Sequence, residues 1–141
     1  TARRYTLRAG EVLVAARGTR MTATVFDSTY AAVAGGQFLL VRPQADVLLP
    51  DYLRWFLNLP STQEQLVARA RGSYVRSLPA KSLGTLDIPL PPLPRQRMIA
   101  ELDSLRLREK ELMAQLAGRR AFYFDQSLVK TLRPTIKTTS S

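Results

Sequence analysis

Four prolines within six positions, Pro89, Pro91, Pro92 and Pro94, are followed at once by more than thirty helix-favouring residues. Each proline fixes φ and removes a backbone donor, so Leu86 to Leu93 reads as a stiff, extended strap. Pro94 stands where a first-turn proline costs nothing, which predicts that a helix starts there. From Arg95 to Leu128 there is no proline and one glycine, Gly118, and Leu, Met, Ala, Glu, Lys, Arg and Gln dominate the run as far as that glycine. A helix of that length is a rod on the order of 50 Å.

Met98, Leu102, Leu105, Leu112 and Leu116 recur at alternating spacings of four and three, with Glu109 where the pattern asks for another apolar residue. This is a heptad-like seam with one polar break. It predicts a contact surface for another helix, with Glu109 setting the alignment by pairing with Arg119 or Arg120 of an antiparallel neighbour. An amphipathic helix packed wholly on its own domain has the same periodicity.

The 141 residues suit one domain with one appendage. There is no cysteine and no histidine, which removes disulfides, thiolate metal sites, cysteine nucleophiles and histidine bases together. The charge is 21 basic against 11 acidic residues, and most of the basic residues are arginines. The excess is shared: 11 against 6 over residues 1–93, and 10 against 5 over residues 94–141. A polyanionic partner follows, and arginine favours phosphates and base edges. No apolar run approaches the ~20 residues that span a bilayer.

Along the chain, Val12 to Ala16 reads as a buried strand ended by Gly18, and Thr19 to Phe26 as a second strand closed by a turn at Asp27-Ser28. Arg17 and Arg20 flank the glycine at the strand end, either as solvated loop residues or as cations for phosphate. Tyr30 to Ala34 and Gln37 to Arg42, joined by Gly35-Gly36, complete a meander. Leu49 to Asn58 reads as a capped helix with Tyr52, Trp55, Phe56 and Leu59 on one face, and Ser61-Thr62-Gln63-Glu64 as the capping box of a second helix. That helix stops at Gly72. The stretch Arg69 to Ser77 then packs three arginines, a tyrosine, a glycine and two hydroxyls into nine residues, the mixture that phosphate and base-edge contacts use. Asp87 to Leu90 reads as a strand of the strap, and Lys130 to Ser141 as a polar tail.

Catalytic signatures are missing. No Gly-x-x-x-x-Gly-Lys-Ser/Thr phosphate loop, no Gly-x-Gly-x-x-Gly turn and no Asn/Asp-Pro-Pro-Tyr/Phe methyl-transfer motif occurs. A metal-dependent nuclease built on Glu11, Asp27 and Asp87 is left open by spacing alone. The remaining dense carboxylates, Glu101, Asp103, Glu109 and Glu111, share their helix with Arg106, Arg108 and Lys110, where i,i+4 pairing accounts for them.

Several of these residues form a pattern. Leu7-x-x-Gly10-Glu11-Val12-Leu13-Val14-x-x-Arg17-Gly18, Gln37-Phe38-x-Leu40-x-Arg42-Pro43, Pro50-x-Tyr52-Leu53, Gly72-Ser73 and Leu86-x-Ile88-Pro89-Leu90-Pro91-Pro92-Leu93-x-x-Gln96-x-x-Ile99 resemble the DNA-specificity (S) subunit of type I restriction-modification systems. The strap with Gln96 and Ile99 is the most specific part, and the likeness covers roughly residues 7–117. In that family a target recognition domain is followed by a long helix that pairs with a second such helix and docks methyltransferase subunits. Full S subunits carry two domains and two helices, whereas this chain has one of each, and the segment usual before the Gly10-Glu11 strand is nearly absent. The resemblance therefore implies a half-subunit, a fragment or a minimal relative, and a half-subunit restores the arrangement by pairing with a second copy.

The expectation is a mixed α+β (α/β) fold. It has a small twisted mixed sheet with short helices over residues 1–93, a long projecting coiled-coil-type helix over 94–128, and a flexible tail over 129–141. The expected function is sequence-specific recognition of double-stranded DNA by a non-catalytic, cytoplasmic subunit without cofactor or metal. As the resemblance implies, it positions methyltransferase and restriction subunits. Arg17, Arg20, Arg71, Ser73, Tyr74 and Arg76 are the expected DNA contacts, with Lys81 as a weaker phosphate contact. The alternative is a helix-mediated structural or assembly protein that does not read DNA.

Overall fold

Val12 and Val14 point to one side of a strand and are both fully buried, so this strand needs a neighbour on each edge. In the computed structural model, which describes residues 5–18, 20–26, 32–34 and 38–132, it has both. Strand β2 (Val12–Ala15) is the centre of a three-stranded antiparallel sheet in the order β3-β2-β5, with β3 (Ala23–Val25) and β5 (Phe38–Val41) on its flanks. Strand β1 (Tyr5–Leu7) pairs antiparallel with β4 (Ala32–Ala34) in a separate two-stranded sheet. The consecutive strands expected to form a meander therefore go to different sheets. The register explains the choice for β5: Val41 lies opposite Val12 and Leu39 opposite Val14, which puts four apolar side chains on the core face. The Asp27-Ser28 turn, Gly35-Gly36 and residues 133–141 of the expected tail lie outside the described residues.

The second strand is shorter than the alternation over Thr19 to Phe26 predicts, and side chains take over from it. Asn58 accepts from Ala23 N–H at 2.8 Å and donates to Ala23 C=O at 2.9 Å. Buried Gln63 accepts from Met21 N–H at 2.9 Å and donates to the carbonyls of Met21 and Leu57 at 3.0 and 2.7 Å.

Helix α1 (Pro50–Leu57) and helix α2 (Pro60–Arg69) lay Leu53, Leu57 and Leu66 on Val12, Val14 and Met21 to make the core. Both helices open on a proline at the first turn, and neither has a side-chain N-cap. The capping box expected at Ser61 to Glu64 is thus not formed: Pro60 already presets the entry, and Thr62 and Gln63 turn inward. The buried face of α1 is Tyr52, Leu53 and Leu57, while Trp55, Phe56 and Leu59 are half-buried. The i,i+4 pair Leu53/Leu57 wins the sheet-facing side because two aliphatic chains pack closer on a pleated surface than the larger aromatics. Helix α2 ends at Arg69, short of Gly72. Helix α3 (Ala80–Leu83) is a single turn.

The strap is extended but joins no ladder, contrary to the strand expected at Asp87 to Leu90, since prolines offer too few N–H groups to pair. Its carbonyls bond to side chains. Tyr52 donates its hydroxyl to Pro89 C=O at 2.8 Å, and burial pushes that hydroxyl above the usual tyrosine pKa range.

Helix α4 (Leu93–Val129) starts within a residue of the predicted point and continues through Gly118. Its one fully buried side chain is polar. Gln96 accepts from Leu49 N–H at 2.9 Å and donates to the carbonyls of Val47 and Pro91, each at 2.8 Å. Two turns on, Asp103 is buried and meets Arg54 Nη2 at 3.0 Å. The chain divides into two compact units, residues 1–103 and 104–141, so the opening turns of α4 belong with the sheet and the short helices. No helix among the described residues is long and apolar enough to cross a membrane.

Replacing Gln96 with leucine keeps the size but leaves one N–H and two carbonyls without partners, at roughly 1–3 kcal/mol for each that water does not reach. Urea unfolding followed by Trp55 fluorescence is expected to show a loss of at least ~3 kcal/mol in Gln96→Leu. An unchanged midpoint means that the strap is held by something else.

Candidate nucleic-acid interface

Two arginine-bearing segments lie more than fifty residues apart in sequence, and backbone hydrogen bonds join them. After α2 the chain runs out at Arg71 and returns at Ser77, where Arg71 N–H bonds Ser77 C=O and Ser77 N–H bonds Arg71 C=O, both at 2.8 Å. The loop so closed is fastened to the end of β2. Gly18 N–H bonds Arg76 C=O at 3.2 Å, Leu78 N–H bonds Ala16 C=O at 2.8 Å, and Arg17 pairs with Ser77 in an antiparallel bridge.

Gly72 makes the turn possible. Its φ is +119°, and a Cβ there would stand 2.4 Å from Val75 C=O, so any other residue meets both strain and a backbone clash.

This brings Arg17, Arg71 and Arg76 to one edge of the domain, with Ser73 and Tyr74 in the loop between the last two. All five are exposed. Arg20 and Arg76 also line a shared cleft of about 630 Å³ whose walls include Pro60 and Val67 of α2. Among the described residues, none of Arg17, Arg20, Arg71 and Arg76 has an acidic side chain within ion-pair distance. Among the described residues, Glu64 is the one carboxylate of the cleft lining. Asn58 and Gln63 also line it, but their carboxamides are already engaged with the backbone of Ala23 and Met21. Four guanidinium groups with no ion-pair partner among the described residues are suited to hold phosphates and reach base edges.

Two basic residues stand apart from this group. Arg69 bonds Thr85 Oγ1 and Gln65 C=O, each at 3.0 Å, which ties it to α2 and to the turn after α3. Lys81 is exposed on α3, and none of the loop hydrogen bonds reaches it. Of the three carboxylates weighed for a metal, Glu11 accepts from Arg8 N–H at 2.9 Å and faces Arg42 Nε at 3.4 Å. Asp87 is exposed, and Asp27 lies outside the described residues.

The second candidate surface is on α4. Met98, Leu102, Leu105, Leu112 and Leu116 are 43–65% exposed, and Glu109 is exposed with them. The face of α4 that is buried carries Gln96 and Asp103 instead. Within the docked opening of α4 the polar Gln96 and Asp103 are buried while Met98 and Leu102 are exposed, so the apolar positions there are not used in packing on the domain.

No protein-family model and no curated protein sequence matches the chain.

The cleft wall on α2 gives no local signal in the sequence, because Pro60 and Val67 become part of the surface only when α2 and the 71–77 loop are fastened to the end of β2. Substituting Gly72 by alanine is expected to open that fastening. The Arg71 and Ser77 amides should lose protection in hydrogen exchange, with a stability loss of about 1–3 kcal/mol. Full protection in Gly72→Ala means that the loop tolerates a side chain there.

Proposed function

We propose that this chain is a non-catalytic DNA recognition module of the kind found in type I restriction-modification specificity subunits, acting in the cytoplasm. The observation that carries the reading is the fastening of the loop closed at Arg71 and Ser77 to the end of β2 through two backbone hydrogen bonds, Gly18 N–H to Arg76 and Leu78 N–H to Ala16, which leaves arginines from both segments exposed and without acidic partners among the described residues. Arg17, Arg20, Arg71 and Arg76 contact phosphates or guanine edges, Ser73 adds a hydroxyl, and Lys81 contributes at most a peripheral phosphate contact. Methyl transfer and cleavage belong to separate methyltransferase and restriction subunits. The α4 leucine stripe serves assembly, either with a second copy of this helix, with another specificity half, or with a methyltransferase subunit. The same stripe supports the second reading, an assembly protein that does not bind DNA.

Salt dependence separates the two. Each phosphate contact adds about −0.9 to the slope of log affinity against log salt, so four arginines predict a slope of about −3 to −4 on duplex DNA. In Arg71→Ala/Arg76→Ala that slope is expected to fall by about 2 if both hold phosphates. If either reads a guanine edge, its loss costs about 1–3 kcal/mol on the preferred sequence alone. A double variant that binds as wild type eliminates the loop, and no binding at low salt, with methyltransferase added, eliminates DNA recognition.

For the helix, sedimentation of wild type beside Leu105→Asp/Leu112→Asp is expected to show association at micromolar concentration that the variant loses. A wild type still monomeric at high micromolar concentration excludes pairing with a second copy and leaves the stripe to a different subunit.

A further inference from the structure

Tyr74 sits at the middle of the 71–77 loop and is 100% exposed, with Val75 beside it at 60%. Neither the ring nor the hydroxyl of Tyr74 has a partner among the described residues. Tyr74 takes no part in the cleft that Arg76 lines with Pro60 and Val67, so its ring gains no apolar cover there. The loop holds it out. The paired bonds between Arg71 and Ser77, the bond from Gly18 to Arg76 and the left-handed Gly72 fix the base of the loop. An aromatic ring and a branched aliphatic chain are thus both exposed at the tip of a loop whose base is fixed, with Arg71 and Arg76 on either side in the chain.

The chemistry that matches this apex is a flat π-face flanked by anions. In an intact duplex the bases offer only their edges to the grooves, and their faces are covered by stacking. A face is exposed where a step is unstacked or a base is unpaired. We infer that Tyr74, backed by Val75, stacks on a base face at an opened step while Arg71 and Arg76 hold the neighbouring phosphates. This rests on the DNA-binding reading and adds a requirement to it: the site must include a step that opens at low cost, as pyrimidine–purine steps do, or an unpaired base. Wedge side chains of minor-groove proteins act on duplex DNA in this way, and aromatic platforms act so on single strands.

The experiment compares the full chain on three oligonucleotides of equal length at one salt concentration: an intact duplex, the same duplex with one bulged base, and a single strand. Wild type is expected to bind the bulged duplex about tenfold more tightly than the intact one, the order of effect that base–aromatic stacking gives. Tyr74→Ala removes the preference and leaves the salt slope unchanged, because no charge is lost, whereas Tyr74→Phe retains it. In Tyr74→Trp the added indole emission is quenched on binding, measured over the constant signal of Trp55. A single strand bound as tightly as the bulge identifies any unpaired base as the ligand, and one bound more weakly identifies an opened duplex step; both support stacking. Equal binding of intact and bulged duplex by wild type, with a steep salt slope, overturns stacking and leaves DNA recognition standing. Absence of binding to all three overturns both.

Discussion

One buried carboxamide holds the arrangement of this domain. The Gln96 side chain has one acceptor and two donor hydrogens, and all are used: on Leu49 N–H, where α1 begins, on Val47 just before it, and on Pro91 in the strap. A proline-rich strap cannot be held by a β-ladder, so its carbonyls need donors from side chains, and Tyr52 supplies the other. Because α4 starts immediately after the strap, fixing Pro91 and Leu49 also fixes the rotation of the first turns of α4. Asp103 then falls on Arg54 two turns later, and the same rotation turns Met98 and Leu102 away from the core. Such an ion pair is costly to break, since Arg54 without Asp103 is a largely buried charge that has lost its partner. The opening of the long helix is therefore docked through polar contacts that demand one geometry, and Met98 and Leu102 take no part in that docking.

The arginine surface follows from a different constraint. Sheet pairing ends at Ala15, but the backbone beyond it still offers hydrogen-bonding groups, and the segment after α2 takes them up through Arg76 and Leu78. Each loop stabilises the other, so their charges gather without a hydrophobic contact between the arginines. Mutual repulsion among four guanidinium groups opposes this, and screening by salt or binding of an anion relieves it.

Elements defined by local chemistry were legible in the sequence. The start of α4 at the strap, the strand at Val12 and the exposed loop after α2 all follow from proline, alternation and composition within a few residues. Features that depend on distant partners were not. Whether Gln37 to Arg42 pairs with its sequence neighbour or with β2 is decided by what stands opposite Val12 and Val14, and the run itself does not contain that information. The Ser61 to Glu64 pattern matches a capping box, yet Pro60 pre-empts it and Gln63 is drawn to Met21. Gln96 stood out only through the family resemblance. Periodicity marks apolar residues as inward, and it misses a glutamine buried for its hydrogen bonds. Among the basic residues, Arg69 was indistinguishable from Arg71 and Arg76 until Thr85 and Gln65 were seen beside it.

The carboxamides of Asn58 on β3 and of Gln63 on Met21 just before it have a consequence for the edge of the sheet. An unpaired outer strand is a template on which another polypeptide can extend a sheet, and proteins that carry one risk open-ended aggregation. At Met21 and Ala23 that template is occupied from within, by two side chains that reproduce the donors and acceptors of an absent neighbour strand. Growth of the sheet by strand addition is blocked there, at a margin only a few residues from Arg17 and Arg20. The basic face can therefore be crowded against a second molecule without the two sheets fusing.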